Sequence, residues 1–161
     1  MREIPDWNTY FMRLLGPLSD RSKDPNTQVS CVIIGPDNGI RATGYNSLPR
    51  GVRDDIEIYP ERFERPEKYM WIEHAERNAI YSAGKIGTPL DGSRLICQLL
   101  PCMDCGRGII QVGIVEVVYD ANRQRIFETT TPRYVPDFER VCVMLAEAGV
   151  KVTPWYDPNP K

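Results

Sequence analysis

Two short segments constrain this chain more than anything else in it: Trp71-Ile72-Glu73-His74-Ala75-Glu76-Arg77-Asn78-Ala79-Ile80 and Leu100-Pro101-Cys102-Met103-Asp104-Cys105, in a sequence that contains a single histidine. If His74 holds a metal, the remaining ligands must come from elsewhere, and Cys102 and Cys105 are the candidates. One neutral imidazole and two thiolates make three protein ligands, the number a catalytic zinc uses when its fourth tetrahedral position is kept for water. The spacing then dictates local structure. In mid-helix, residues two apart point to opposite sides, so His74 and Glu76 can face one ion only from the start of a helix. Ala75, Ala79, Ile80 and Ala83 would bury that helix behind them. Cys102 and Cys105, three apart, share a face, with Pro101 at the opening of a second helix continued by Ile109, Ile110 and Val112. The fold is therefore expected to aim two helix N-termini at one centre, where their positive ends lower the thiol pKa and offset thiolate charge.

At 161 residues the chain fits one domain, 1–161, with a core over roughly 5–153. A formal net charge of −2 and a pI near 5.5 argue against a polyanion-binding surface and for a free small molecule as substrate. Five cysteines, no apolar leader and no membrane-length apolar run indicate a cytoplasmic protein with reduced thiols and no membrane partner.

Along the chain, Asp6 caps a first helix whose apolar positions are Trp7, Tyr10, Phe11, Leu14 and Leu15, and Gly16-Pro17 is expected to break or kink it. A strand over 27–34, too apolar for a sheet edge, turns at Pro36-Asp37-Asn38-Gly39 into a strand over 40–45. Residues 46–70 read as a long loop with room for a short helix, a length that usually marks substrate or subunit contacts. Strands over 94–99, 115–119 and 150–153, alternating with the cysteine helix and a helix over 136–148, imply α/β architecture with a mostly parallel sheet covered on both faces. The tail, 154–161, is too Pro-rich to be ordered unless it docks.

Further segments carry a resemblance: Ser22-Lys23-Asp24-Pro25-Asn26-Thr27-Gln28-Val29, Gly44-Tyr45-Asn46, Pro49-Arg50-Gly51 and Ile109-Ile110-Gln111-Val112-Gly113-Ile114, together with the His-x-Glu and Pro-Cys-x-x-Cys motifs. Over roughly 22–119 the chain resembles the zinc-dependent cytidine and deoxycytidylate deaminase superfamily, most closely its deoxycytidylate (dCMP) branch. The resemblance implies a three-layer α/β/α cytidine-deaminase-like fold with a mixed sheet of about five strands. It also implies a hydrolase of a cyclic amidine C–N bond that converts dCMP to dUMP and ammonia, supplying dUMP for thymidylate synthesis. One zinc per chain, a homo-oligomer, often a hexamer, and regulation by dCTP and TTP with Mg²⁺ go with it. The chain departs from the branch at Ser47, where Gly is common, and at Ser30-Cys31, where Gly-Ala is usual.

The site residues expected are His74, Cys102 and Cys105 as metal ligands and Glu76 as the proton shuttle. Asn46 is placed on the sugar by the resemblance, against an equally ordinary reading as a turn residue. Arg123 is chosen for the 5′-phosphate because ligands sit beyond the carboxyl ends of strands in α/β sheets. Glu73 reads as a capping or solvated carboxylate. Cys97 and Cys142 read as small buried hydrophobes, while Cys31 lies either in the core or on the base pocket. Alternatives are CMP, deoxycytidine or a 5-substituted dCMP as substrate, a tRNA adenosine deaminase using the same zinc kit, and a closed, non-catalytic zinc module.

Overall fold

The computed structural model describes residues 3–158. One sheet of five strands has the order β2-β1-β3-β4-β5, with β1 at Ser30–Ile34, β2 at Ile40–Tyr45, β3 at Arg94–Cys97, β4 at Glu116–Asp120 and β5 at Lys151–Trp155. β1 pairs antiparallel with β2 and with β3, whereas β3, β4 and β5 are parallel. This is the mixed five-stranded sheet expected. In the hairpin turn Asn38 adopts φ 62°, a left-handed conformation that asparagine tolerates better than most residues.

Alternation along the strands sorts the core into two layers. Val32, Ile34, Ile96 and Val118 point to one face and pack on Phe11, Met12 and Leu15 of helix α1 (Trp7–Ser19). Cys31, Ile33, Leu95, Cys97 and Val117 point to the other face. There they meet Ala75, Ala79, Ile80 and Ala83 of α3 (Ala75–Ile86), Ile109 of α4 (Met103–Gln111), and Val141 and Leu145 of α6 (Val135–Glu147). The result is three layers, α/β/α. Among the described residues no helix is long and apolar enough to cross a membrane.

Several details differ from expectation. Helix α1 runs through Gly16-Pro17 to Ser19, because Pro17 falls in the last turn, where Asp20 N–H and Ser19 Oγ still find the Gly16 carbonyl. Strand β1 begins at Ser30, not residue 27, and β3 ends at Cys97, leaving 27–29 and 98–101 as connections. The long loop contains a 3-10 turn at Pro60–Phe63 and a short helix α2 at Lys68–Trp71. A helix α5 (Ala121–Thr130), absent from the sequence reading, follows β4, capped by Asp120, whose Oδ1 accepts from Asn122 and Arg123 N–H. The tail, expected to be ordered only if it docks, does dock at its start: Pro154 and Trp155 belong to β5, and Trp155 Nε1 donates to Thr9 Oγ1 at 3.1 Å. Residues 159–161 of that tail lie outside the described residues.

Topology fixes where a site can form. β3 and β4 are parallel, β1 runs against β3, and β2 runs against β1, so the carboxyl ends of β2, β3 and β4 and the start of β1 lie at one end of the sheet. Residues 27–29, Asn46, Leu99–Cys102 and the start of α5 gather there.

Candidate active site

The donor cluster is built at helix starts. His74 is the N-cap of α3, with extended backbone (φ −75°, ψ 154°), and Glu76 is the second helical residue. Cys102 is the N-cap of α4 (φ −73°, ψ 173°), and Cys105 its third residue. Neither side chain makes the usual capping bond to its helix, and imidazole and thiols converge on one another instead. Glu73 takes over the capping task, its Oε1 accepting from His74 N–H at 2.9 Å and from Arg77 Nε at 2.6 Å. Arg77 also reaches Asp104 at 3.4 Å, so one guanidinium ties the first turns of the two helices together.

A glycine sets the height of α3 above the sheet. A methyl group at Gly44 of β2 would overlap the Ala75 carbonyl oxygen and lie 2.7 Å from Ala79 N. Only a residue without Cβ lets the helix start sit that close. Asn78 Nδ2 pins the same helix laterally, donating to Tyr45 O (2.9 Å) and to Ser47 Oγ (3.1 Å). The departure at Ser47 therefore supplies an acceptor for α3.

His74 Nδ1 lies 3.4 Å from Cys102 Sγ and 3.6 Å from Cys105 Sγ, and the three donor atoms are all within 4.8 Å of one another. Zinc bonds of about 2.3 Å to sulfur and 2.0–2.1 Å to nitrogen, at a tetrahedral angle, separate the two ligand atoms by roughly 3.6 Å. The donors thus stand at zinc-ligand spacing, and the set fits that ion. Glu76 is not part of this mutually close group. It stands beside it, 8 % exposed, with Cys105 Sγ donating to its Oε2 at 3.6 Å.

The electrostatics suit a cation and a proton carrier. Cys102 is lowered to about 4 by its hydrogen bonds with Cys105 and His74, while the Cys105 thiol is pushed up by the same bond and by burial. The bond to Cys102 raises His74 to about 9. Burial pushes the Glu76 carboxyl up, against the pull of His74.

His74, Glu76 and Cys102 open into a cavity of about 220 Å³, walled also by Val29, Asn46 and Leu100. Tyr69, Phe127, Tyr134 and Phe138 form an aromatic side, and Asp24, Lys68 and Arg65 bring charge to the lining. Asn46 is thus in the wall. Its polar ends also meet protein: Nδ2 donates to Thr27 O (2.8 Å), and Oδ1 accepts from Val29 N–H (2.9 Å). Arg123 lines a neighbouring cavity of about 330 Å³ that shares Thr27, Arg65, Leu99 and Phe127 with the first, and its Nη2 donates to Gln28 O at 2.7 Å. Cys31 and Cys97 face each other across β1 and β3 in the core beneath α3, and Cys31 is not among the residues lining the cavity. Sequence reasoning missed Arg65, Lys68 and the aromatic side. The first two sit in a segment without periodicity. A signal for Phe127 existed in Asp120, a good cap ahead of α5.

Fold and donor set together define an α/β/α protein of the zinc-dependent deaminase class. The chain belongs to the family of the cytidine and deoxycytidylate deaminase zinc-binding region, whose model matches residues 5–121. Among its relatives are a probable deoxycytidylate deaminase of Drosophila melanogaster, 41 % identical over 125 residues, and the deoxycytidylate deaminase of Homo sapiens, 38 % identical over 120 residues. Each alignment covers 73 % of this chain, but only 61 % and 66 % of those proteins. An uncharacterised deaminase of Aliivibrio fischeri is 34 % identical across 93 % of this chain and 94 % of its own. In fold, the chain resembles the dCMP deaminase of cyanophage S-TIM5 crystallised with dCMP and dUMP, with a TM-score of 0.69, 24 % identity, and 96 % and 100 % of the two chains covered.

Proposed function

We propose that this protein, acting as a single domain, hydrolyses dCMP to dUMP and ammonia, with His74, Cys102 and Cys105 holding one zinc ion and Glu76 moving the protons. The observation that carries this reading is a buried carboxylate standing beside, and outside, three convergent donors at zinc spacing, in a chain of the deaminase family. A zinc held there supplies a water acidified towards neutral pH. Glu76 would take one proton from the attacking water and hand it to N3 of the pyrimidine as C4 is attacked, then carry the proton of the new C4 hydroxyl to the amino group, which leaves as ammonia as the C4 carbonyl forms. Burial supports the role, since a desolvated carboxylate accepts a proton more readily than one in water. No organic cofactor is needed.

Asn46 would meet the sugar from the cavity wall. For the 5′-phosphate we infer Arg65, which lines both cavities, with Arg123 beyond it. Ammonia release across cytosine, deoxycytidine, CMP, dCMP and 5-substituted dCMP tests the assignment. dCMP is expected to lead by several kcal/mol of transition-state binding over deoxycytidine, and equal efficiency for the two would overturn it.

We infer further a cytoplasmic homo-oligomer, probed as a hexamer, that responds to dCTP and TTP with Mg²⁺. Five unpaired cysteines support the reducing compartment. A cavity of about 310 Å³ lined by Arg21, Lys23 and Arg50, on the far side of Asp24 and Ile72 from Glu76, supports the effector. Rates and sedimentation with and without each triphosphate decide it, and a flat response to both removes regulation while leaving the chemistry intact.

A further inference from the structure

One part of the cavity wall is not used by the chemistry above. Asp24 and Lys68 both line the cavity and are 4 % and 5 % exposed. The Lys68 ammonium lies 2.8 and 2.6 Å from the two Asp24 oxygens, with Asn26 Oδ1 at 3.4 Å. Apolar residues of similar volume often hold such a place at least as well as a buried ion pair, so stability by itself is a weak reason for the pair. What the pair does hold is a chain of directed bonds. Asp24 Oδ1 accepts from Asn26 and Thr27 N–H at 2.9 and 3.2 Å, fixing the turn that opens the 24–29 wall. Asp24 Oδ2 lies 3.4 Å from Asn46 Nδ2. The same nitrogen donates to Thr27 O, and Asn46 Oδ1 accepts from Val29 N–H. Lys68 opens α2, a few residues ahead of His74, so the pair ties this wall to the segment that delivers a donor of the cluster.

We propose that Lys68 is a positioning residue for substrate: through Asp24 it fixes which way round the Asn46 amide stands, and with it the edge that the wall offers the nucleotide. A reversed amide would turn its oxygen towards the carboxylate and Thr27 O and its NH₂ towards Val29 N–H, three repulsive contacts in place of three attractive ones. Held as it is, Asn46 keeps the second lone pair of Oδ1 for a donor on the ligand, such as a sugar hydroxyl. The proposal rests on the nucleotide reading above.

The test measures kcat and KM, with whichever cytosine nucleotide the wild type turns over fastest, for Lys68→Met, Asn46→Ala and both together. Zinc content and amide exchange at Val29 are followed in the same proteins. Lys68→Met is expected to raise KM about tenfold, the scale of one hydrogen bond, with kcat within about threefold and zinc retained. In the Asn46→Ala background it should add nothing, because no amide remains to orient. Val29 N–H should exchange faster in Lys68→Met. If that variant does not fold, Asp24→Asn/Lys68→Met removes the stranded charge; its KM should stay raised, since an amide at 24 that still caps Asn26 and Thr27 turns NH₂ towards Asn46 Nδ2. Multiplicative effects of the two single changes, or a wild-type KM in the neutral double variant, would overturn the proposal and leave a merely structural pair. A wild type that turns over no cytosine nucleotide defeats the substrate reading separately. Val29 exchange then still decides the orientation claim, and unchanged protection refutes it.

Discussion

The donor cluster and the wall of the cavity are built in opposite ways. The cluster is backbone work: two N-caps and two first turns, set at height by Gly44 and laced by Arg77, bring four side chains to one point from two short segments. The wall is side-chain work, assembled from residues 24–29, Asn46, Arg65–Tyr69 and an aromatic group on α5 and α6, and held by a buried ion pair. An ion demands ligand positions within tenths of an ångström, which helix termini provide. A nucleotide demands a shape, which distant side chains can share.

That contrast predicts separable failures. The largest effect belongs to the cluster: His74→Ala, Cys102→Ser or Cys105→Ser should take zinc from one per chain to none, with ammonia release falling to background, as metal analysis and a rate assay will show. Two tightly bound zincs in the wild type would mean that the contrast is drawn around an incomplete site. Gly44→Ala attacks the cluster without touching a donor. Lifting α3 by the overlap at Ala75 should lower kcat about 100-fold, the usual scale for a misplacement near 1 Å, and reduce Tm as well.

Arg77→Gln removes the tie between the two helix starts but no ligand. Zinc affinity should fall about 10- to 100-fold in a chelator competition, the range seen when partners that support ligands are lost. A loss as complete as that of His74→Ala would make Arg77 part of the ligand geometry, not a support for it.

The smallest effect lies outside both regions, at the cap of α1. Thr9 donates from its hydroxyl and its N–H to Asp6, holding that carboxyl below its usual value. Asp6→Ala should cost about 1 kcal/mol, or roughly 2–4 °C in Tm, with kcat unchanged. Because the folded pKa is depressed, this stabilisation is present above the ordinary carboxylate value near 3.8 and is lost as pH falls through the folded value. The gap between variant and wild type in denaturation should therefore close in acid.

The same contrast explains what could be read from the chain. His74, Glu76, Cys102 and Cys105 were legible because a two- or three-residue spacing has geometric meaning at a helix start. The hairpin, the parallel second half and the buried face of α3 followed from periodicity. Lys68 was not legible, since a lysine in a charged loop gives no sign that its ammonium is buried against an aspartate far earlier in the chain. Helix α5 escaped because its only buried residue is Gln124, which serves Leu100 N–H through Oε1 and leaves no apolar stripe to read. The Pro-rich composition of 154–161 hides that Pro154 and Trp155 close β5, an edge strand, where proline is tolerated.

The central claim is that Glu76 works beside the metal and not on it. Glu76→Gln keeps the shape and removes the proton acceptor, so zinc content and turnover measured on one preparation test it directly. The account predicts one zinc per chain, an unchanged fold, KM near wild type and kcat lower by about 10,000-fold or more, because general acid–base catalysis at a single step contributes roughly 100- to 10,000-fold and this carboxylate serves several. Loss of zinc from Glu76→Gln would contradict it, making Glu76 a fourth ligand of a closed, structural site.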